Sequence, residues 1–446
     1  MVGRGKRRAL GAKSVWRIPF RWLALFLCLL SARPGFSQGW DFTHAGDPNR
    51  NWGGTVTESV GYDDNFNATE KNQESGARIS TDVKLRASIP FERLFVGMQY
   101  NYDVIYPQTP GSGHGSNSVG AAGINQTHNL NLSANYTANP RLTLGLTENF
   151  VNSLEPSLVQ NNTTVVQDGT YEYNNVGASM NFLLSPRWTM TVVGGWDIWE
   201  YQSSIASNNN HQDYTATLSA LYALDTRTTI GLNYQYGSST YVDPGIDNGL
   251  NSVSQTLYLS FVRRFNPQLS LSLNGGYTIH DSADGTQGTS PSAYALLTYN
   301  YGPADTITLT LAQALSQATV GVTRQFSAQQ NSSLDLQVNH RITVRLHVFG
   351  DIAYTYSSFT QPLGGSGINP GGNVPFPGNP FIPPVKSRTV TPNDQALTFH
   401  LEMKYDFRDW MSAVMDYYYT ELTSSDPGLI QPFTRNQISA GIALTY

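Results

Sequence analysis

The feature that most constrains this fold is a series of runs in which apolar and polar residues alternate. Short and long connections alternate between these runs. Residues 94–106, 214–222 and 230–237 show the pattern clearly, with large apolar side chains at every second position. Period-two alternation gives a strand two unlike faces. The runs are about 10–14 residues long, which suits tilted strands that cross a membrane.

Short turns follow a common pattern, in which Asn, Asp or Ser precedes Pro or Thr and then a polar residue. Four of them are Asn139-Pro140-Arg141, Ser185-Pro186-Arg187, Asp225-Thr226-Arg227 and Asn266-Pro267-Gln268. Proline fixes φ, and the polar side chains bind nearby backbone groups. The turns recur at roughly 36–48 residues, and longer polar connections lie between them. Short turns alternating with long loops are typical of outer-membrane barrels.

The fold class that follows is all-β: a transmembrane antiparallel up-and-down β-barrel of about 18 strands. Sixteen strands are the alternative, because the register of the strands near residues 320–338 is ambiguous. A β-propeller blade has a similar repeat length but needs four short strands per repeat, whereas each repeat here holds two long ones. A soluble sandwich does not predict aromatic residues at both ends of the strands.

The last nine residues form the most regular alternating run. Apolar or aromatic residues occupy Ile438, Ala440, Ile442, Leu444 and Tyr446, and small residues lie between them. An unpaired strand of this kind would be a hydrophobic edge, and barrel closure removes that edge. We expect this strand to pair with strands near residues 55–66 and 411–419. Tyr446 is the predicted assembly signal and an anchor at the membrane interface.

The chain divides into three predicted segments. Residues 1–37 combine a basic stretch without acids and a short apolar core at residues 22–30, which is typical of a cleaved signal peptide. Residues 38–51 are predicted to be a short periplasmic segment, and residues 52–446 the barrel. Within the barrel, residues 357–393 are rich in Pro and Gly and are predicted to be a long loop.

Composition excludes several function classes. Removal of the eight basic residues of the leader lowers the net charge from −5 to −13, which makes a nucleic-acid partner unlikely. Cys28 lies in the leader, so thiol and Cys-based metal chemistry are excluded. Alternation places the neighbours His280, Asp281 and Ser282 on opposite faces in turn, so this tripeptide does not show the spatial convergence that a triad needs. We expect no catalytic residue, no cofactor and no metal site.

Charged residues that alternation places on the polar strand faces are the candidate pore-lining residues. The set is Asp82, Lys84, Arg86, Asp103, Arg345, His347, Asp351, His400, Glu402 and Lys404. Opposite charges in a lumen can select permeants, although pairs of them can also simply brace the wall. The strands that carry Arg345 and Glu402 should be neighbours across the 357–393 loop.

The hexapeptide Gly61-Tyr62-Asp63-Asp64-Asn65-Phe66 resembles the opening motif of the β-barrel porin 2 family of Gram-negative outer-membrane proteins. The layout of repeated hairpins and a terminal aromatic residue is also similar to that family. The resemblance implies an outer-membrane barrel, and some members are associated with exopolysaccharide export loci. It supports location and architecture more than substrate.

Together these features predict an outer-membrane, porin-like channel for passive diffusion of small hydrophilic solutes, and not an enzyme. The alternative is a barrel without channel activity, either a component of exopolysaccharide export or a structural or adhesive surface protein. Expected partners are outer-membrane lipid, the outer-membrane assembly machinery, and small hydrophilic solutes or polysaccharide. The sequence does not indicate an oligomeric state.

Overall fold

The computed structural model describes most of the chain from residue 51 onward. The described residues are 51–65, 68, 70–71, 73, 75–108, 124–153, 159–160, 163–164, 171–202, 210–242, 251–283, 285, 287–317, 326–362, 393–425 and 432–446. The predicted signal peptide, residues 38–50 and residues 363–392 lie outside this set. Among the described residues, no helix is long and apolar enough to cross a membrane.

Twenty strands are described. They are β1 (Trp52–Asp63), β2 (Gly76–Pro90), β3 (Leu94–Gln108), β4 (Asn125–Asn139), β5 (Leu142–Ser153), β6 (Val159–Gln160), β7 (Thr163–Thr164), β8 (Tyr171–Leu183), β9 (Trp188–Tyr201), β10 (His211–Ala223), β11 (Thr228–Tyr241), β12 (Ser252–Arg264), β13 (Leu269–Ser282), β14 (Gln287–Asn300), β15 (Thr306–Gln317), β16 (Phe326–Arg341), β17 (Leu346–Pro362), β18 (Asn393–Arg408), β19 (Met411–Ser424) and β20 (Phe433–Thr445).

Eighteen of these strands form one closed antiparallel barrel, which confirms the predicted fold class and strand number. Each barrel strand pairs with the next along the chain, and β20 pairs with β1 from Thr55–Thr445 to Asp63–Gln437. The short strands β6 and β7 pair only with each other. The region near residues 320–338, where the sequence left the register open, contains β16, which pairs with β15 and β17.

The two faces of the wall differ as the alternation predicts. Large apolar side chains are exposed on the outside, with Val60 at 61% and Leu259 at 65%. Across the barrel pairs they lie opposite other apolar residues, as in Leu232–Leu259 and Tyr234–Leu257. The alternate positions carry Ser, Thr, Asn, Gly and charged residues and face the interior. A soluble protein rarely exposes so much contiguous apolar surface.

Aromatic residues mark both ends of the outer face. Trp188, Trp410 and Tyr446 are exposed at the end with the short turns, and Trp196 and Tyr277 at the other end. The Trp52 and Tyr446 rings lie 5.0 Å apart where the first and last strands meet.

Some aromatic residues near strand ends do not belong to these outer rings. Phe91 and Tyr241 are buried at 8% and 5% exposure. Tyr241 lies opposite His211 in the register and faces the interior. Position near a strand end alone therefore does not show which face an aromatic side chain occupies.

The predicted loop 357–393 begins later than expected, because β17 extends to Pro362. Pairing with β16 continues as far as Phe326–Pro362. Ser357 is fully buried and its hydroxyl donates a 2.8 Å hydrogen bond to the Asn331 side chain. Residues 357–362, at the start of the predicted loop, therefore belong to β17.

An ion pair holds the closure between β1 and β20. The Asp63 carboxylate is fully buried, and Arg435 donates to it from Nη2 at 2.6 Å and from Nε at 3.1 Å. Gln437 Nε2 donates a third hydrogen bond at 2.7 Å, and Arg78 Nη1 lies 3.9 Å away. Charge-assisted bonds of this number and geometry satisfy a buried carboxylate well.

The residues that follow Asp63 extend this contact. Asp64 accepts hydrogen bonds from the backbone and side-chain nitrogens of Asn436 at 2.6 and 2.7 Å. Asn65 Nδ2 donates to the Thr434 carbonyl at 2.8 Å. A Cβ on Gly61 would collide with the backbone of β20, so glycine permits the close approach of the two strands. Residues 61–65 of the hexapeptide that suggested the family resemblance thus join the first strand to the last.

Replacement of Asp63 by Asn should weaken the barrel substantially. Asparagine keeps the volume but leaves the Arg435 guanidinium buried without its counter-charge, which should lower the free energy of unfolding by about 3 kcal/mol. Urea unfolding of the refolded barrel measures this change.

Asp225→Asn is the matched control, because Asp225 lies in an exposed turn and accepts a backbone hydrogen bond that asparagine can also accept. Equal midpoints for Asp63→Asn and Asp225→Asn would show that the seam contact does not stabilise closure.

Candidate functional site

The interior face is charged mainly on one side of the barrel. The charged strands β16 to β20 and β1 to β3 form one continuous wall, because β20 pairs with β1. Their inward carboxylates are Asp335, Asp351, Asp394, Glu402, Asp406, Asp416, Asp63, Asp82 and Asp103. Their inward Lys and Arg residues are Lys404, Arg435, Arg78, Lys84 and Arg86, with Arg341 at the end of β16. Acidic groups outnumber basic groups on this wall.

Electrostatic interactions between strands that are not neighbours indicate that these residues face the interior. Lys84 of β2 is near enough to interact electrostatically with Glu402 of β18. Arg78 and Asp82 of β2 interact in the same way with Tyr418 of β19. Side chains three or four strands apart converge on the concave side of a closed sheet and diverge on the convex side. All these groups therefore share the lumen.

The predicted residues of β2 and β3 lie together on this wall. Asp82 is opposite Asp103 in the register, and Lys84 and Arg86 are opposite Asn101 and Gln99. Lys84 Nζ lies 3.3 Å from Asp82 Oδ2. Although it faces inward, the Lys84 side chain is 54% exposed, so solvent-accessible space lies in front of it.

The predicted residues of β17 and β18 are also brought together, since these strands are neighbours as expected. His347 is opposite Lys404, and Asp351 is opposite His400. Lys404 Nζ lies 3.5 Å from Asp406 Oδ1, and His347 Nε2 lies 3.4 Å from Asp406 Oδ2. In this part of the wall, acidic side chains therefore lie beside Lys and His side chains.

His400, Glu402 and Asp416 form the closest cluster of potential ligand groups among the described residues. One ligand atom from each of the three lies within 4.8 Å of the other two. His400 Nε2 is 3.4 Å from Asp416 Oδ1. The Tyr418 ring stacks on the imidazole at 3.9 Å, and the Phe349 ring lies 5.3 Å from it in an edge arrangement.

Sequence reasoning missed Asp416 and Asp335, which belong to this wall. Asp416 lies directly opposite Glu402 on β19. Asp335 of β16 is in side-chain contact with Asp351 of β17. Alternation alone marks both as inward residues, but only the register between strands places them beside the predicted ones.

Arg345 differs from the other candidates. It lies in the exposed turn 342–345 before β17, not on the wall. The Thr343 hydroxyl accepts hydrogen bonds from the backbone nitrogens of Arg345 and Leu346 at 3.2 and 3.0 Å, which sets the start of the strand at Leu346. Arg345 therefore lies at the end of the barrel.

The opposite wall is almost free of charge. On the described strands β11 to β15, the inward positions carry no Asp, Glu, Lys or Arg except Arg264 at the end of β12. Hydroxyl and amide groups replace them, as in Asn233, Thr256, Asn274 and Thr308. Many pair with each other, and the Thr256 and Thr278 hydroxyls lie 2.9 Å apart.

Inward aromatic residues cluster at the long-loop end of β8 to β11. The Tyr173 and Trp199 rings lie 4.3 Å apart, and His211 stacks between Trp199 and Tyr241 at 6.0 and 5.0 Å. The Tyr173 hydroxyl donates to Asp197 at 2.8 Å. These side chains occupy the interior near one mouth of the barrel.

His280 and Asp281 project to opposite faces, with His280 inside opposite Ser254 and Asp281 outside opposite Val253. No triad geometry forms at this tripeptide, which agrees with the sequence argument.

Solved barrel structures resemble this chain. A BenF-like porin from Pseudomonas fluorescens Pf-5 is 11% identical with a TM-score of 0.44, and the alignment covers 91% of this chain and 99% of the porin. OpdK from Pseudomonas aeruginosa, solved with vanillate, is also 11% identical at a TM-score of 0.44, over 89% of this chain and 99% of OpdK. The siderophore receptor PirA from Pseudomonas aeruginosa is 10% identical at 0.39, over 90% of this chain and 81% of the receptor.

The matched structures are outer-membrane porins and receptors. Their TM-scores and sequence identities are too low to support an argument about the function of this chain. No protein-family model matches the sequence. No curated protein matches it either. Membership in the β-barrel porin 2 family stays a prediction based on residues 61–66.

Proposed function

We propose that this protein is an outer-membrane channel for passive diffusion of small hydrophilic solutes. The observation that carries the proposal is the solvent exposure of charged side chains inside a closed barrel, with Lys84 at 54% and Asp82 at 33%. A charged group faces a large desolvation cost unless water reaches it. Side chains of an 18-stranded barrel do not fill its interior, so an aqueous path is physically expected.

A membrane location is supported by the outer face. An exterior on which Leu259 and Val60 are more than half exposed is stable when hydrocarbon covers it. Closure leaves no unpaired edge among the barrel strands, as a bilayer requires. We propose that outer-membrane lipid and the outer-membrane assembly machinery are partners, and that residues 1–37 direct export and are removed.

Conductance of the refolded protein in a planar bilayer tests the channel. Discrete, ohmic current steps are expected, because fixed charges on the wall keep the lumen hydrated. A barrel that is folded by heat-modifiable gel migration but gives no steps would contradict the proposal. That result would favour a role in exopolysaccharide export or as a structural or adhesive surface protein.

The wall charges should make the channel prefer cations. Acidic groups exceed basic ones along β16 to β3, and on the described strands β11 to β15 only Arg264, at the end of β12, adds an inward charge. Asp335→Asn combined with Asp351→Asn should lower the cation-to-anion permeability ratio by about twofold. Reversal potentials under a salt gradient measure the ratio.

Asp225→Asn, in an exposed turn outside the strands, is the control and should leave the ratio unchanged. An unchanged ratio in the double variant would show that ions do not pass along this wall.

Glu58 tests the membrane location. It lies on the outer face in the middle of β1, opposite Ile442, and accepts hydrogen bonds from the Thr81 hydroxyl at 2.9 and 3.0 Å. A carboxylate there is costly in hydrocarbon, so Glu58→Leu should raise the free energy of unfolding in vesicles by about 1–2 kcal/mol.

Glu200→Leu is the matched control, because Glu200 is exposed near the long-loop end of β9, where water reaches it. If Glu58→Leu destabilises the barrel while Glu200→Leu has no effect, the middle of β1 does not face hydrocarbon.

A further inference from the structure

We propose that His400, Glu402 and Asp416 bind a divalent transition-metal ion, such as Zn²⁺, on the lumen wall. The three side chains come from neighbouring strands: His400 and Glu402 alternate on β18, and Asp416 is opposite Glu402 on β19. Their ligand atoms lie within 4.8 Å of one another. This inference goes beyond the proposed channel function, because binding of an ion does not require conduction.

The His400 Nε2–Asp416 Oδ1 contact, a long hydrogen bond in this structure, has a length that also suits two ligands of one metal ion. Two ligands held about 2.0–2.1 Å from a tetrahedral Zn²⁺ are about 3.3–3.4 Å apart. His400 Nε2 and Asp416 Oδ1 are separated by 3.4 Å. A charge-assisted hydrogen bond between an imidazolium and a carboxylate is usually shorter, at about 2.7–2.9 Å.

The distance alone does not identify a site, because the His347–Asp406 pair on the same wall has the same 3.4 Å separation. The difference lies in the third group. Beside His347, the Lys404 ammonium lies 3.5 Å from Asp406 and occupies the position a cation would take. Beside His400, a second carboxylate, Glu402, completes a set of three ligands.

The imidazole of His400 is held in place for this role. Tyr418 stacks on one face with the ring planes 9° apart, and Phe349 contacts the ring at 62°. Restricted rotation of the ring keeps Nε2 directed toward Asp416. Rigid support of a ligand ring is a common feature of metal sites.

The charge around the cluster favours a cation. Asp351 is opposite His400 in the register and adds a further carboxylate beside the three ligands. The two lysines near Glu402 pair with other carboxylates: Lys84 lies 3.3 Å from Asp82, and Lys404 lies 3.5 Å from Asp406. The side chains of His400 and Asp416 are 17% and 22% exposed, so an ion can reach them from the lumen.

The ligand types indicate which ions bind. Imidazole nitrogen suits Zn²⁺, Cu²⁺ and Ni²⁺, whereas Mg²⁺ and Ca²⁺ prefer sites made only of oxygen. Three protein ligands leave one position for water on a tetrahedral ion. The proposed site therefore binds a transition-metal ion with an open coordination position toward the lumen.

Isothermal titration calorimetry of the full barrel in detergent with ZnCl₂ at neutral pH tests this inference. One saturable site per chain is expected. His400→Gln and Asp416→Asn should each weaken Zn²⁺ binding about 100-fold, since each removes one of three ligands. His347→Gln is the matched control and should bind Zn²⁺ like the unaltered protein.

Heat-modifiable gel migration confirms that each variant is folded before titration. Absence of a saturable site in the folded protein, or equal affinity in His400→Gln, would overturn the proposal. Displacement of Zn²⁺ by an equal concentration of Mg²⁺ would also overturn it, because that result indicates only diffuse attraction to the acidic wall. A barrel that conducts but binds no Zn²⁺ would leave the channel proposal intact.

Discussion

Pairing of β1 with β20 is the constraint on which the rest of this structure depends. Without that pairing, both strands would present unpaired backbone groups to hydrocarbon, and each such group costs several kcal/mol in a bilayer. Hydrogen bonds from Gly54 and Tyr446 at one end, and the Asp63–Arg435 ion pair at the other, secure the seam over its full length. The interior wall exists as a continuous surface only because this seam is closed.

The seam also explains where the charged residues lie. Charged inward positions concentrate on the first three and the last five strands, which are distant in sequence but adjacent in the barrel. Pairs such as Lys84 and Glu402 face each other across the seam. The middle of the chain supplies a wall of hydroxyl and amide groups. The lumen therefore has fixed charges on one side and neutral dipoles on the other.

Much of this arrangement could be predicted from the sequence, because a strand has a period of two and a barrel repeats it without interruption. The inward positions of Asp82, His347, His400 and Glu402 follow from alternation, and the turns at Asn139 and Asp225 follow from local backbone chemistry.

Contacts that depend on register could not be predicted. Asp416 beside Glu402 and Arg435 beside Asp63 require knowledge of how strands are offset. The extent of β17 was missed because residues 357–361, which contain no Pro or Gly, were assigned to the loop although they continue the pairing with β16.

The contacts between the two ends of the barrel have a consequence for the order of folding. Asp63 and Arg435 are separated by 372 positions in the sequence, whereas neighbouring hairpins pair residues only a few tens of positions apart. A contact between residues so far apart in the sequence costs much chain entropy unless most of the structure has already formed. We therefore expect the ion pair at the seam to be one of the last contacts to form, so that its formation would complete assembly.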